Sequence, residues 1–239
     1  MSSNGLPATD QDMHVHSTYS DGAGTLAENL KAAEKAGLAA LTCVDHVRRD
    51  TDWAPAFAEE VRSLGDGMKM EVRSGLEAKI LDTSGELDLP ADTGGADRIY
   101  AADHRVPLED GPADPAAIRL AIGRGETDPA VVVESIVNAT ANAVAGRPNL
   151  VIAHLFSVLP KVGLDERAVP QESLERLAQA AAESGASIEI DERWRCPSAR
   201  TLRPFHAAGV PILLSTDSHS PETIGRYDYC LGVIEELAA

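Results

Sequence analysis

The sequence predicts a parallel α/β fold, because short apolar strands and amphipathic helices alternate along its 239 residues. Polar and charged residues also gather where the predicted apolar strands end. In parallel α/β folds, ligands bind in the crevice beyond the carboxyl ends of the strands. We therefore expect a single domain over residues 1–239, with an N-terminal tail at 1–11 and a binding site at one end of the sheet.

The predicted elements follow one another in a regular order. Gly37 fits the end of the first helix, and Asp128 and Pro129 fit the N-cap and the first position of a later one. The predicted strands lie at 13–17, 38–46, 69–81, 97–104, 149–154, 186–191 and 210–219. The predicted helices lie at 25–37, around 53–64, at 128–146, at 171–184, near 198–208 and near 221–236.

The segment 105–127, "RVPLEDGPADPAAIRLAIGRGET", is the least regular part of the chain and is rich in glycine, proline and acidic residues. Long irregular segments in compact domains often cover a binding site. Two interpretations stay open, a lid inserted over the site and a mobile surface excursion. We also expect substrate specificity to depend on this segment and on the loop around 193–199.

Composition excludes several classes of function. The net charge is −17, with 38 acidic and 21 basic residues, and aromatic residues make up only 4%. Such a surface repels a polyphosphate backbone and offers few stacking platforms, so long nucleic acid is not an expected partner. The N-terminus has no signal-peptide pattern, and no apolar run is long enough to span a bilayer. We expect a cytoplasmic protein without a membrane partner.

The histidines form the clearest pattern in the sequence. Six of the seven histidines fall at predicted strand ends, and only His206 lies in a predicted helix. Residues i and i+2 of a strand share a face, so His14 points the same way as His16, and Asp217 the same way as His219. Imidazole and carboxylate ligands suit Zn, Mn or Fe, and the lack of paired cysteines favours a catalytic over a structural site.

Beyond this pattern, the sequence resembles the PHP (polymerase and histidinol phosphatase) superfamily of metal-dependent phosphoesterases from about residue 12 to 226. The similarity is carried by "HVHSTYSDG", "VDH" at 44–46, "GLEAKI" at 75–80, "AADH" at 101–104, "IAH" at 152–154 and "LLSTDSHSPETIG" at 213–225. The resemblance implies an α/β fold of the distorted (β/α)7 barrel type. It also implies nine metal ligands, which are His14, His16, Asp21, His46, Glu77, His104, His154, Asp217 and His219.

The resemblance further implies two to three divalent ions, with Glu77 as a bridge between the first two. The three implied ligand sets are His14, His16, Glu77 and Asp217 for the first ion, Glu77, His104 and His154 for the second, and Asp21, His46 and His219 for the third. It assigns catalytic roles to Glu77, Asp217 and His219. Two bridged ions lower the pKa of a shared water from 15.7 to about 7 and so provide a nucleophile for attack on phosphorus.

Arginines near ligand strands are candidate phosphate clamps, because a guanidinium matches the geometry of phosphate oxygens. Arg193 and Arg195 are the favoured candidates, followed by Arg48 and Arg105. The competing interpretation for each is an exposed side chain in a solvated loop. Trp194 and Trp53 are interpreted either as the floor of a substrate pocket or as packing residues, and Glu189 and Asp191 as residues that support the ligands.

The leading functional hypothesis is a phosphatase that hydrolyses a small phosphorylated substrate, a phosphate monoester. A nucleotidase or exonuclease of the PHP type is the first alternative, although the acidic surface disfavours long nucleic acid. A non-catalytic metal-binding module is the alternative from another class. A serine hydrolase that uses Ser215 or Ser218 is also considered, but neither serine lies in a G-x-S-x-G turn.

Overall fold

The computed structural model describes residues 6–239 and is built around one sheet of seven parallel strands. The alternation of strands and helices therefore produces the parallel architecture that the sequence predicts. The strands of this sheet are β1 (Gln11–Val15), β2 (Ala40–His46), β3 (Glu71–Lys79), β4 (Arg98–Ala102), β7 (Leu150–Ala153), β8 (Ser187–Asp191) and β9 (Ile212–Ser215). Two further strands, β5 (Val106–Leu108) and β6 (Gly111–Ala113), form a separate antiparallel hairpin.

The sheet curls into a nearly closed barrel with the order β1-β2-β3-β4-β7-β8-β9. The two outer strands meet, because the His16 N–H donates to the Ser218 carbonyl at 2.8 Å and the Ser218 N–H donates to the His14 carbonyl at 3.3 Å. This closure confirms the distorted (β/α)7 barrel that the resemblance implies. It brings the ends of the first and last strands side by side.

Seven α-helices connect and cover the strands. They are α1 (Leu26–Ala36), α2 (Ala54–Gly65), α3 (Pro115–Gly123), α4 (Pro129–Val144), α5 (Gln171–Ser184), α6 (Ala199–Ala207) and α7 (Tyr229–Ala238). The predicted caps are confirmed: Gly37 adopts a left-handed conformation after α1, and the Asp128 carboxylate accepts the Ala130 N–H at 2.9 Å. No helix in the described part of the chain has the length and apolar character needed to cross a bilayer.

Tyr100 fills the interior of the barrel below the strand ends. Its side chain is fully buried and packs in a small apolar cluster with Met13, Val44 and Val151, and its hydroxyl donates to the Met13 carbonyl. Gly75 makes room for this ring, since a Cβ atom there would lie 2.8 Å from Tyr100 Cε2. The middle of the barrel is therefore a packed core, and the predicted ligands lie above it at the carboxyl ends of the strands.

The segment 105–127 is more regular than the sequence analysis expected. It contains the β5–β6 hairpin and the helix α3, whose N-cap Asp114 accepts the Ala116 N–H at 2.9 Å. Asp114 and Pro115 form the same Asp-Pro helix start that was recognised at 128–129, so a local pattern was available and was missed. The role of this segment as a lid stays a prediction.

The last helix begins later than predicted. Residues 216–228 form a loop with one short 3-10 turn at Pro221–Thr223, and α7 starts at Tyr229. Gly225 has a left-handed φ of 68°, and its N–H donates to the buried Asp12 carboxylate at 2.9 Å instead of to a helical carbonyl. A contact with the first strand therefore overrides the helical tendency of this stretch.

Asp12 stabilises the contact between β1 and the end of β9, where the barrel closes. Its carboxylate accepts the Thr216 N–H at 2.9 Å and the Thr216 hydroxyl at 2.6 Å in addition to the Gly225 N–H. Asp12 is fully buried, and this burial raises the pKa of its carboxyl to about 6 despite these donors and the His14 N–H, which lies 3.5 Å away. Its removal would leave buried donors without a partner.

We predict that Asp12→Ala lowers the free energy of unfolding of the metal-free protein by about 3 kcal/mol, because buried donors then lose their acceptor. Urea denaturation in the presence of a chelator measures this change independently of metal binding. Asp10→Ala is the matched control, since Asp10 is exposed, and its effect should stay within about 0.5 kcal/mol. Equal stability of the two variants would contradict the assigned role of Asp12.

Candidate metal centre

Glu77 lies at the centre of the site, buried at the carboxyl end of β3. Five imidazole nitrogens surround its two oxygens, namely His46 Nδ1 at 2.8 Å, His154 Nε2 at 2.9 Å, His104 Nε2 at 3.0 Å, His14 Nε2 at 3.3 Å and His16 Nε2 at 3.4 Å. Burial alone would raise the pKa of the Glu77 carboxyl, but the charges of His104 and His14 hold it well below its usual range. Glu77 is thus ionised at neutral pH.

Several buried atoms of the site fit a metal ion better than a hydrogen-bond network. His16 Nε2 lies 3.0 Å from Asp217 Oδ1 as an ion-pair contact, but neither atom has a hydrogen bond of good geometry within residues 6–239, and His16 Nδ1 has none there either. Buried polar atoms without a partner cost roughly 1–3 kcal/mol each. Burial also lowers the pKa of the His16 imidazole to about 4, so the ring is neutral and offers a lone pair. Divalent cations would satisfy these atoms, and the imidazole and carboxylate donors suit Zn, Mn or Fe.

All nine predicted ligands lie in this cluster. Donor atoms fall within 4.8 Å of one another in the sets His16, Asp21, His46 and His219; His14, His16 and Asp217; and His46, Glu77 and His104. His154 and His104 approach the same Glu77 oxygen, at 2.9 and 3.0 Å. The structure therefore brings together each of the three implied ligand sets, while the assignment of ligands to individual ions stays a prediction.

The backbone at two predicted ligands is unusual. His154 has a φ of 28° and Asp217 a φ of 49°, both in the left-handed region that non-glycine residues rarely adopt. The His154 N–H is held by the Glu189 carboxylate at 2.7 Å, which stabilises the unusual turn after β7. Backbone strain of this kind is common where a fold fixes functional side chains.

Glu189 orients His14. Its carboxylate lies 3.1 Å from His14 Nδ1, which leaves the opposite nitrogen of the ring to face Glu77. Burial opposes protonation of His14, but the charges of Glu189 and Glu77 outweigh it and raise the pKa of His14 well above its usual value. A cation that binds here would displace this proton. The second supporting residue from the sequence, Asp191, accepts the Trp194 N–H at 2.7 Å.

Two buried aspartates fix the loops of the site: Asp45, which the sequence places at a strand end beside His46, and Asp103, which was not predicted. Asp45 accepts the Ser17 hydroxyl at 2.6 Å and the Ser20 N–H at 3.1 Å, so it holds the loop that carries Asp21. The Asp103 carboxylate accepts the Phe156 N–H and the Ser157 hydroxyl, each at 2.8 Å. Each directly precedes a predicted histidine ligand, and this Asp-His dipeptide is the pattern that could have identified them.

The cluster opens into a cleft of about 400 Å³ at the mouth of the barrel. Arg48, Arg105 and Arg193 line it, as does Lys79, which the sequence analysis did not single out. Arg193 donates to the Asp217 carbonyl at 3.4 Å and contacts His219 Nδ1. These four side chains give the otherwise acidic site its positive charge.

Arg195 is not among the residues that line this cleft. Its guanidinium lies 5.1 Å from the Tyr229 ring centroid, beside a separate cavity of about 350 Å³. Trp194 separates the two arginines, and the left-handed backbone of Arg195, with a φ of 54°, directs the chain away from the cleft. The structure therefore does not support the prediction that Arg195 is a phosphate clamp beside Arg193.

The two tryptophans have different surroundings. Trp194 lines the cleft, and its indole N–H donates to Asp217 Oδ2 at 2.7 Å, which leaves Oδ1 to face His16. Trp53 instead packs against Tyr19 and Phe57, with ring centroids 5.3 and 5.9 Å away. Of the two interpretations from the sequence, a place in the substrate pocket fits Trp194, and a packing role fits Trp53.

Neither serine considered as a nucleophile has a base beside it. The Ser215 hydroxyl is buried and makes no hydrogen bond within residues 6–239. The Ser218 hydroxyl contacts the Thr223 hydroxyl and lies 3.4 Å from the Ser220 carbonyl. A serine hydrolase needs a general base, most often histidine, within hydrogen-bond reach of its nucleophile, so this geometry argues against that alternative.

We predict that Glu77→Ala loses at least one bound metal ion per chain, because the carboxylate shared by five imidazoles is removed. Inductively coupled plasma mass spectrometry of Mn- or Zn-loaded protein measures the metal content. Glu71→Ala is the matched control on the exposed start of the same strand and should keep the full content. Unchanged metal content in Glu77→Ala would exclude Glu77 as a ligand.

We also predict that Trp194→Phe weakens metal binding about tenfold, since Asp217 loses the donor that orients it. Competition with a chromogenic chelator gives the affinity. Trp53→Phe makes the same chemical change in a packing position and should leave the affinity as it is. A similar loss in both variants would indicate a general effect of destabilisation.

Comparison with known proteins is consistent with this centre. Residues 12–193 match the PHP domain family. The chain is 26% identical over 225 residues to a probable phosphatase of Clostridium acetobutylicum, covering 91% of this chain and 82% of that protein. Its fold is similar to the crystal structure of histidinol phosphate phosphatase from Lactococcus lactis in complex with zinc, L-histidinol and phosphate. That likeness has a TM-score of 0.68 at 18% identity and covers 95% of this chain and 93% of that one. The match to residues 12–193 shows that this chain belongs to the PHP domain family.

Proposed function

We propose that the chain is a metal-dependent phosphatase that hydrolyses a small-molecule phosphate monoester at a site for three divalent ions. The observation that carries this proposal is the convergence of Glu77 and eight other histidine and carboxylate side chains, beside the guanidinium of Arg193. The name of the Clostridium relative supports the phosphatase class. The zinc, alcohol and phosphate bound in the Lactococcus structure support a metal-dependent reaction on a small phosphate ester.

Each ligand set would hold one ion. The proposed sets are His14, His16, Glu77 and Asp217; Glu77, His104 and His154; and Asp21, His46 and His219. When bound, the ions supply an activated water and neutralise the negative charge that develops on the phosphoryl oxygens. The local positive charge would also reconcile an anionic substrate with a protein whose net charge is −17.

The residues of the site would position the ions and bind the phosphate of the substrate. Glu77, with both oxygens surrounded by imidazoles, would hold two ions at a fixed separation. Asp217 would present Oδ1 to the first ion, since Trp194 occupies its other oxygen. Hydrogen bonding of His219 Nδ1 to the Asp217 carbonyl at 2.9 Å directs Nε2 towards Asp21, 3.3 Å away. Arg193, which contacts His219, would donate to an oxygen of a phosphate bound at the ions.

The size of the cleft favours a small substrate. A cavity of about 400 Å³ fits an organic phosphate of modest size and no duplex. Trp194, 36% exposed at the edge of the cleft, makes a mononucleotidase the second candidate, because an indole can stack on a base where Lys161 Nζ, 4.1 Å from its ring centroid, does not cover it. The exonuclease alternative has no comparable support in the structure.

We predict that the Mn- or Zn-loaded protein releases inorganic phosphate from an aryl phosphate and that a chelator abolishes this activity. His104→Ala should lower kcat/KM more than about a hundredfold, equivalent to roughly 2.7 kcal/mol of transition-state stabilisation. His206→Ala is the matched control, since His206 lies in α6, outside the cluster, and should retain activity.

A panel of monoesters, nucleoside monophosphates, diesters and short oligonucleotides then separates the candidates. Preference for nucleoside monophosphates would favour the second candidate. Cleavage of oligonucleotides without release of phosphate from monoesters would contradict the proposed function. Metal binding without turnover of any ester would support the non-catalytic module.

A further inference from the structure

Positive side chains are concentrated in the cleft of this acidic protein. Four of its twelve lining residues are lysine or arginine, whereas these types account for only 21 of the 239 residues of the chain. Chance placement would give about one. Arg193, which contacts His219, accounts for one of the four. The other three form what we call the cationic wall, defined by Arg48, Lys79 and Arg105.

The cationic wall is built by three neighbouring strands. The strands β2, β3 and β4 are adjacent in the sheet, and each carries a predicted metal ligand at its carboxyl end. A cation follows each ligand by one or two residues, in the pairs His46 and Arg48, Glu77 and Lys79, and His104 and Arg105. The ligands on β1, β7 and β9 have no such cation after them, so the cationic wall lies on the side of β2, β3 and β4, apart from Arg193, which follows β8.

The cationic wall does not serve to neutralise the carboxylates of the metal centre. Within residues 6–239, Lys79 pairs with Asp88 at 3.4 Å and Arg105 with Asp114 at 3.3 Å. Arg48 makes no ion pair in that same part of the chain. Since none of the three pairs with the central carboxylates, and one acidic partner uses only part of the donors of Lys79 or Arg105, all three keep donors for an anion that enters the cleft.

Lys79 is held more firmly than a typical surface lysine. It shares the inward face of β3 with Glu77, two residues before it, and its side chain is only 25% exposed. Its partner Asp88 is 14% exposed and also accepts the Arg49 N–H at 3.0 Å, which ties the pair to the loop after β2. Lys79 has three donors, so its pairing with Asp88 leaves others for a ligand.

We propose that the cationic wall binds a second anionic group of the substrate, a carboxylate or a phosphate, on the alcohol that leaves the scissile phosphate. This inference rests on the proposed phosphatase function and names its substrate class. Arg193, reached from β8, serves the phosphate at the metal centre, whereas Arg48, Lys79 and Arg105 contact the far end of the substrate. The preferred substrate is therefore a phosphate monoester whose alcohol is itself anionic.

Isothermal titration calorimetry of the metal-loaded full chain with phosphonates tests this inference, because phosphonates are not hydrolysed. Propylphosphonate and 2-carboxyethylphosphonate have similar length and differ in the second charge. We expect the carboxylate compound to bind about tenfold more tightly, a difference of one decade in Kd. Propane-1,3-bisphosphonate tests a phosphate as the second group, and 2-aminoethylphosphonate, which carries a positive charge, should bind most weakly.

Variants assign the preference to the cationic wall. In the double variant Arg48→Gln with Lys79→Met, and in Arg105→Gln, the tenfold ratio of the two Kd values should fall towards one. Arg62→Gln is the matched control, because Arg62 is exposed on α2 and pairs only with its neighbour Glu59. A preference caused by direct contact of the second anion with the metal ions would survive in every variant and would overturn the proposal.

Equal affinity of the wild-type protein for propylphosphonate and 2-carboxyethylphosphonate would also overturn it. Failure of this inference about the substrate is distinguishable from failure of the proposed phosphatase function. Phosphate release from esters without any anionic preference would refute the substrate class alone. An anionic preference in phosphonate binding without phosphate release from any ester would refute the phosphatase function alone. Metal content and thermal unfolding of each variant, measured in parallel, identify any loss of fold.

Discussion

The structure depends on one buried carboxylate. Glu77 lies at the centre of the barrel mouth with five imidazole nitrogens within 3.4 Å of its oxygens. A buried ionised group is tolerated only where charges or donors compensate for lost hydration. The five histidines come from four segments of the chain, at the ends of β1, β2, β4 and β7, so Glu77 can be stabilised only if these strands have their correct register. The in-register pairing of His46 with Glu77 across β2 and β3 illustrates this constraint.

A second set of carboxylates holds the loops that carry the ligands. Asp12, Asp45, Asp103 and Glu189 are all buried, and each accepts at least one backbone N–H from a neighbouring segment. Buried backbone donors in loops need such partners, because no sheet or helix satisfies them there. Part of the large acidic excess of this protein is therefore structural. It fixes the loops above the barrel, where regular secondary structure has ended.

The mouth of the barrel is chemically divided. Histidines and carboxylates converge on Glu77, whereas lysine and arginine side chains follow the ligands of β2, β3 and β4 only. Lys79 and Arg105 pair with Asp88 and Asp114 outside the central cluster, which keeps these two cations from competing for its carboxylates. A parallel barrel makes this division possible, since each strand end contributes independently to one side of a common cleft.

The sequence by itself determined the parallel α/β class, the positions of the strands and the candidate ligands. Period-two and period-3.6 patterns, caps such as Asp128, and histidines at strand ends are local features that short stretches specify. The Asp-Pro start of α3 is an equally local feature that was not used.

Only the tertiary structure decided which side chains share the cleft, because that depends on the direction of each residue after its strand ends. In the tertiary structure Arg195 lies outside the cleft, whereas Lys79 lines it. The helix α7 begins later than predicted because Gly225 contacts Asp12, a residue more than two hundred positions away. Such contacts join distant segments, and no local pattern encodes them.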